Sequence, residues 1–278
     1  MALINNSKFP INKWWLSTGI KLLKTNPDIF STGSQRLAMK EFIAGSTVVK
    51  SINGWMQSTQ LSENSQKLSE FGLIIEDNDP HLSKSATWWA IHLQTVFSEK
   101  GEPYSTLFKN LDSFTKDWNL EDDLQERIRD AHQPVYASAS VDTSYDGVRK
   151  SFFIDGPLEG LGLIDFRTHR DNVELKMGSP KVTDEIIIYA LSLARFTFFK
   201  SRLSVDFNAI IDTGINNYLC LSKSDLKKSL QRMSQMNQWK DFFTFDLAAD
   251  LESITFKESC IPRKSLILLL QQGEDTWL

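Results

Sequence analysis

The chain has 278 residues, 41% of them apolar, enough to bury one large core or two modest ones. Its formal net charge is −4, yet residues 1–62 carry seven Lys or Arg against Asp28 and Glu41, a local balance of +5 that leaves −9 for the remainder. No run of eighteen apolar residues occurs, "MALINNSKFP" lacks the basic start and apolar stretch of a secretory signal, and Cys220 and Cys260 stand alone, so a membrane span and a disulfide framework are excluded and a cytoplasmic location is expected.

In chain order, "WWLSTGIKLLK" predicts a helix over 14–24 that stops at Asn26-Pro27. "SQRLAMKEFIA" predicts a second helix with Leu37, Met39, Phe42 and Ile43 facing inward. Ala44-Gly45-Ser46 predicts a short turn, with Ser46 as N-cap of a third helix in "AGSTVVKSINGWMQSTQL", and two short helices about such a turn form a helix-turn-helix pattern. In the third helix Val49, Ile52, Trp55 or Met56, and Thr59 share the inner face, while Thr47, Lys50, Ser51, Asn53, Gly54, Gln57 and Ser58 turn outward. That outer face offers donors and one cation but no carboxylate. A helix entering a major groove needs this, because backbone phosphates repel acids. The DNA-binding candidates are Arg36, Lys40, Ser46, Thr47, Lys50, Ser51, Asn53 and Gln57. A solvated face that merely lacks acids is the alternative left open by periodicity.

"KLSEFGLIIEDNDPHLS" predicts a helix end, a short strand over Leu73–Ile75 where a wing would lie, and an acidic turn at Glu76, Asp77 and Asp79. "SATWWAIHLQTVFS" predicts an apolar helix over 85–98 in which His92 is a core histidine. Residues 105–132 predict a longer helical region broken near Trp118-Asn119. From Gln133 the helical pattern gives way to Ser, Gly, Pro and Tyr, which places a domain boundary near 133–150. The expected division is an N-terminal helical, winged-helix-like DNA-binding domain over 1–133 and an α+β domain over 150–278. "GPLEGLGLIDFRTHRDNVELKM" predicts a helix end and a hairpin, and the frame L-x-x-[F/L]-G-L-I at 158–164 repeats that at 68–74. Thr183 is the expected N-cap of a helix in "TDEIIIYALSLARFTFFKS", with Asp184 and Glu185 answering its dipole. "NYLCLSKSDLKKSLQRMSQM" predicts a strand and then a helix capped by Ser222 or Ser224, and "FFTFDLAADLESITFK" and "KSLILLLQQ" predict strand or strand-helix structure. The fold class is mainly α with short β hairpins, α+β, and the repeated frame leaves a second winged-helix-like unit open.

The chain contains no P-loop, no G-x-G-x-x-G and no H-E-x-x-H. The best nuclease-like pattern is Asp165 with Glu174 and Lys176, since two carboxylates and a lysine on adjacent strands could hold Mg²⁺ or Mn²⁺ and stabilise an attacking water. Asp165 and Glu174 are then the metal candidates and all three the catalytic candidates, against the alternative of a solvated hairpin face.

The stretches "FPINKWWLSTGIKLL", "AGSTVVKSINGWMQSTQL", "DPHLSKSATWWAIHLQ", "PLEGLGLI" and "GSPKVTDEIIIYALSLARF", continued by "LSKSDLKKSLQRM" and "FDLAADLESITF", resemble a bacterial family catalogued as a domain of unknown function and found beside DNA phosphorothioation genes. That family includes the DNA-nicking component of the Ssp single-strand phosphorothioation system. The resemblance implies a DNA-binding, DNA-nicking protein of a DNA modification and anti-phage defence pathway. It implies cysteine desulfurase and ATP-dependent sulfur-transfer partners, and a divalent cation for nicking. Relatives place a Gly-His-Glu-Thr-Phe run before the first helix, where this chain has Asn5, Asn6, Ser7, Lys8 and Phe9. Chemistry done by that His and Glu is therefore not open to this chain in the same form. Two classes of function remain: a metal-dependent nickase, and a non-catalytic winged-helix module that recruits sulfur-transfer partners or regulates transcription.

Overall fold

A computed structural model of the chain describes residues 1–111, 117–153, 156–169, 172–200, 202–248 and 251–271. Asn12 starts the first helix, α1 (Lys13–Thr25), by accepting from the Trp15 N–H, and Leu16, Ile20 and Leu23 form its buried stripe. A 3-10 turn (Thr32–Ser34) leads into α2 (Gln35–Glu41) and α3 (Ser46–Ser58), followed by a two-stranded hairpin of β1 (Ser62–Asn64) and β2 (Lys67–Leu68). Next come α4 (Glu70–Asn78), α5 (Ser85–Phe97), α6 (Tyr104–Asn110), β3 (Asn119–Leu120), α7 (Glu121–His132) and α8 (Ser138–Lys150). Strands β4 (Ile164–His169) and β5 (Asn172–Met177) pair antiparallel, and β3 adds to β5 in the order β3-β5-β4. The rest comprises α9 (Asp184–Phe198), β6 (Ser204–Asp206), α10 (Phe207–Ile211), α11 (Ile215–Tyr218), α12 (Lys223–Ser234), β7 (Phe243–Ala248), β8 (Leu251–Phe256) and α13 (Pro262–Leu270). Its antiparallel sheet has the order β6-β8-β7. The chain is thus mainly helical α+β with small sheets. Among the described residues no helix is long and apolar enough to cross a membrane.

The core centres on α9, whose residues from Ile186 through Arg195 are all buried, as expected of a helix that is apolar all round. It packs on α5 and α13. Arg195 is 4% exposed and is satisfied by the carbonyls of Arg202, Lys257 and Cys260, which ties the helix to the turns beside it. His92 is a satisfied core histidine at 0% exposure. The Tyr218 carbonyl can only accept, so His92 Nε2 donates to it at 2.8 Å and Nδ1 accepts from the Tyr104 hydroxyl at 2.8 Å. Burial pushes its pKa down to about 4, so the ring is neutral. Cys220 and Cys260 are buried and form no disulfide.

The first twelve residues run as a strap across this body. Asn6 is fully buried and donates to the Ser144 carbonyl, while its own carbonyl accepts from Ser51. Ser144 donates to the Ile4 carbonyl, Trp55 donates to the Phe9 carbonyl, and Ser151 accepts from the Ile11 N–H. The strap lies against α3 and α8 only because both present glycine. A Cβ on Gly54 would stand 2.1 Å from the Asn5 carbonyl oxygen, and one on Gly147 would stand 2.5 Å from the Asn6 side chain.

Several expectations are corrected. Leu73–Ile75 belongs to α4, because the Ser69 hydroxyl caps the Gly72 N–H and starts a helix there; the hairpin lies earlier, at 62–68. The repeated frame folds in two ways: Gly72 is helical, while Gly162 takes a left-handed φ of 66° at the end of a 3-10 turn. Residues 138–150 form α8, whose buried Val141, Tyr145 and Val148 are at helical spacing, and Asn217 and Tyr218, expected to begin a strand, end helix α11 instead. On α2 the inner face is Ala38 and Phe42, and Leu37, Met39 and Ile43 are exposed.

Candidate nucleic-acid interface

Helix α2 ends in a Schellman motif. The Ala44 N–H reaches the Met39 carbonyl at 3.0 Å and the Ile43 N–H reaches the Lys40 carbonyl at 3.2 Å. The position that usually holds glycine is Ile43, with φ 45° and 83% exposure. Gly45 then holds the N-cap position of α3, one residue before the Ser46 expected there. The first turn of α3 contains no acid, so its dipole presents an uncompensated positive end.

Along α3, Ser46, Thr47, Lys50, Asn53 and Gln57 form one outward stripe at helical spacing. Its two ends differ. Asn53 donates to the Ser65 hydroxyl at 2.9 Å and Gln57 donates to Asn53 at 3.3 Å, tying that end to the hairpin tip, and Lys100 donates to Gln57 at 3.0 Å. At the other end Ser46, Lys50 and Asn53 line a depression of 220 Å³ with Phe30, Thr32 and Gln35. Thr47 and Lys50 are exposed, as are Arg36 and Lys40 on α2. Arg36, Lys40 and Lys50 have no carboxylate partner among the described residues, whereas Lys24 is held by Glu76 at 2.7 Å and Lys8 lies 3.9 Å from Asp146. Ser51, expected outward, is buried at 0% exposure and donates to the Asn6 carbonyl, so it belongs to the strap contact and not to the outer surface. Gly54 and Ser58 also turn inward: the strap covers the first, and Ser58 is 2% exposed.

The second candidate site lies on β4 and β5. Their register sets Asp165 opposite Lys176 and Arg167 opposite Glu174, which puts all four on one face of the sheet. Lys176 is 3.3 Å from Asp165, and Arg167 donates to Glu174. That hydrogen bond holds the Glu174 carboxyl below its ordinary pKa. Trp118 lies against both cations, with its ring 4.2 Å from the Arg167 guanidinium carbon and 4.8 Å from the Lys176 ammonium. The face is therefore two cross-strand ion pairs around an indole. Among the described residues no group of three His, Cys, Asp or Glu is placed to share a metal. As folded, Asp165 and Glu174 do not fit a divalent cation: each already answers a cation, and Mg²⁺ demands near-octahedral oxygen ligation. Sequence reasoning missed Trp118 here, because nothing in its local spacing signals the partner strand.

Residues 5–269 match the family described as "Protein of unknown function (DUF4007)". No curated protein matches the chain. Two solved structures are similar to it, each 15% identical and each alignment covering 99% of this chain and 90% of that one. One is described as "Magnesium ion-bound SspB crystal structure", with a TM-score of 0.76, and the other as "SspB crystal structure", with a TM-score of 0.71. At that identity the likeness is one of fold.

Proposed function

The chain belongs to the DUF4007 family, and on that premise we propose that it is the DNA-binding component of a bacterial DNA phosphorothioate modification system that defends against phage. The observation that carries the reading is the acid-free outer stripe of α3, flanked by Arg36, Lys40 and Lys50, which have no carboxylate partner among the described residues, and by the β1–β2 hairpin. In this reading α1–α3 with that hairpin is a winged-helix-like unit within an N-terminal domain over 1–133. Helix α3 enters the major groove through Ser46, Thr47, Lys50, Asn53 and Gln57, and β1–β2 serves as the wing. The same pathway reading gives it a cytoplasmic cysteine desulfurase and ATP-dependent sulfur-transfer proteins as partners, and an α+β domain over 150–278 beside the DNA-binding one.

Fluorescence anisotropy with duplex DNA tests it. Lys50→Glu weakens binding to every duplex, because it reverses a charge near phosphate. Asn53→Ala costs about 1–3 kcal/mol on a preferred sequence alone if Asn53 reads a base. Unchanged affinity in both variants, with circular dichroism intact, returns α3 to a solvated face.

A second reading, strand nicking, draws support from the similar structure described as magnesium ion-bound. Its candidates in this chain are Asp165, Glu174 and Lys176. Supercoiled plasmid with Mg²⁺ or Mn²⁺ decides the matter. The ion pairs lead us to expect that any nicking by the wild type survives in Asp165→Ala/Glu174→Ala, and its loss with duplex binding intact would give the hairpin back its catalytic role.

A further inference from the structure

Four segments far apart in sequence meet around an open cleft of 1030 Å³: the start of α1, the turn before α5, the end of α8, and residues 156–160. Its chemistry is mixed in a particular way. Trp14 is 46% exposed although the other large apolar residues of α1 are inside or packed, Trp15 among them against Phe9. Trp88, buried and anchored through its Nε1 to the Leu82 carbonyl, also lines the cleft. Lys13, Lys150 and His81 supply basic groups, and Glu159 is the carboxylate. Asp146 does not cancel the lysines, because Lys8, Arg149 and Lys150 share it at 3.9, 3.7 and 3.7 Å. An exposed indole among ammonium groups suits a ligand with one flat aromatic ring and one anionic group.

We infer that this cleft holds a single unstacked nucleotide of a DNA strand, its base against Trp14 and its phosphate between Lys13 and Lys150. A base inside a duplex has both faces covered by its neighbours and cannot present one to an indole within a cleft, so the ligand is single-stranded or locally opened DNA. The inference rests on the DNA-binding reading and deepens it: α3 holds the duplex while the cleft, at the start of the helix α1 that packs on α3, takes a strand out of it.

The test uses the full chain with three probes: thymidine monophosphate, an oligothymidylate single strand, and a duplex. Single-strand binding is expected, with affinity falling roughly five- to a hundred-fold in Trp14→Ala, the range of one base–aromatic stack. Trp14→Phe restores most of it, and Lys13→Glu/Lys150→Glu weakens it while leaving the duplex bound. Lys50→Glu does the reverse. Single-strand affinity unchanged in Trp14→Ala overturns the inference and leaves the α3 reading standing. Monophosphate binding as tight as the oligonucleotide assigns the cleft to a free nucleotide and also overturns it. Failure of both strand forms to bind the wild type ends both readings.

Discussion

Glu102 and His132 form a buried pair that gives the protein a definite pH response. His132 Nδ1 faces the Ile128 carbonyl at 2.7 Å and Nε2 faces Glu102 Oε2 at 3.3 Å; both partners only accept, so the ring is held doubly protonated and its pKa is raised. Burial alone would raise the Glu102 carboxyl, but hydrogen bonds from His132, Ser105 and Thr106 outweigh it and hold the group down to about 2. The carboxylate contribution is present above its ordinary 4.5 and is lost as the pH falls toward about 2. The imidazolium contribution is complete below 6.5 and is lost as the pH rises through the raised value. Thermal melts should therefore show the wild type exceeding His132→Gln most between these ordinary values, with the gap closing at higher pH. A gap constant from acid to alkali would show that the pair is not ionised. Ile43 makes a second case. A β-branched residue in the left-handed position, 83% exposed, bears roughly 1–2 kcal/mol of strain that no packing repays. Ile43→Gly should then stabilise by about 1 kcal/mol and raise Tm by ~2–4 °C, and a lower Tm would place the Ile43 side chain in a contact the fold needs.

Among the elements, α3 packs the strap against Gly54 and Ser51 on one face and turns its acid-free stripe outward on the other. Alanine is favoured over glycine in a helix by about 1 kcal/mol, yet the Asn5 carbonyl leaves no space for a Cβ. Gly54→Ala should cost about 1–3 kcal/mol by chemical denaturation as the strap is pushed off, while Gly33→Ala, with no neighbour closer than 3.9 Å, should stay within about 0.5 kcal/mol. Equal effects at the two positions would contradict the account of the strap. The contrast also shows what was legible in the sequence. The periodic stripe of α1, the long apolar runs of α5 and α9, and the alternation of Val173, Leu175 and Met177 on β5 are plain in the sequence. Helix α2 is legible as a helix but its inner face is not, because seven residues fit more than one inner face, and Ala38 with Phe42 is as regular a pair as Leu37 with the others. Helix α4 read as strand because Ile74-Ile75 are β-branched, and the Ser69 cap overrode that preference. Local periodicity turns Ser51 outward, because a strap arriving from forty-five residues away leaves no mark on it. The hairpin face was found by its acids, but the partners that neutralise them depend on register, and the cleft around Trp14 depends on four separate segments.

At the scale of the whole molecule, an acidic chain concentrates its positive excess in its first 62 residues, and Arg36, Lys40 and Lys50 there have no carboxylate partner among the described residues. Only charge within roughly 10 Å of a docking phosphate is felt at ordinary salt, so the net −4 does not oppose binding at that end. The central claim is that this end of the protein docks on the DNA backbone through α3. The most direct measurement is the duplex affinity of the wild type and of Lys50→Glu titrated against salt between about 50 and 200 mM, where each phosphate neutralised adds about 0.9 to the log–log slope. The account predicts a steep linear loss of affinity for the wild type and a shallower, weaker line for Lys50→Glu; an affinity that is flat across that range, or the same line for both proteins, would contradict it.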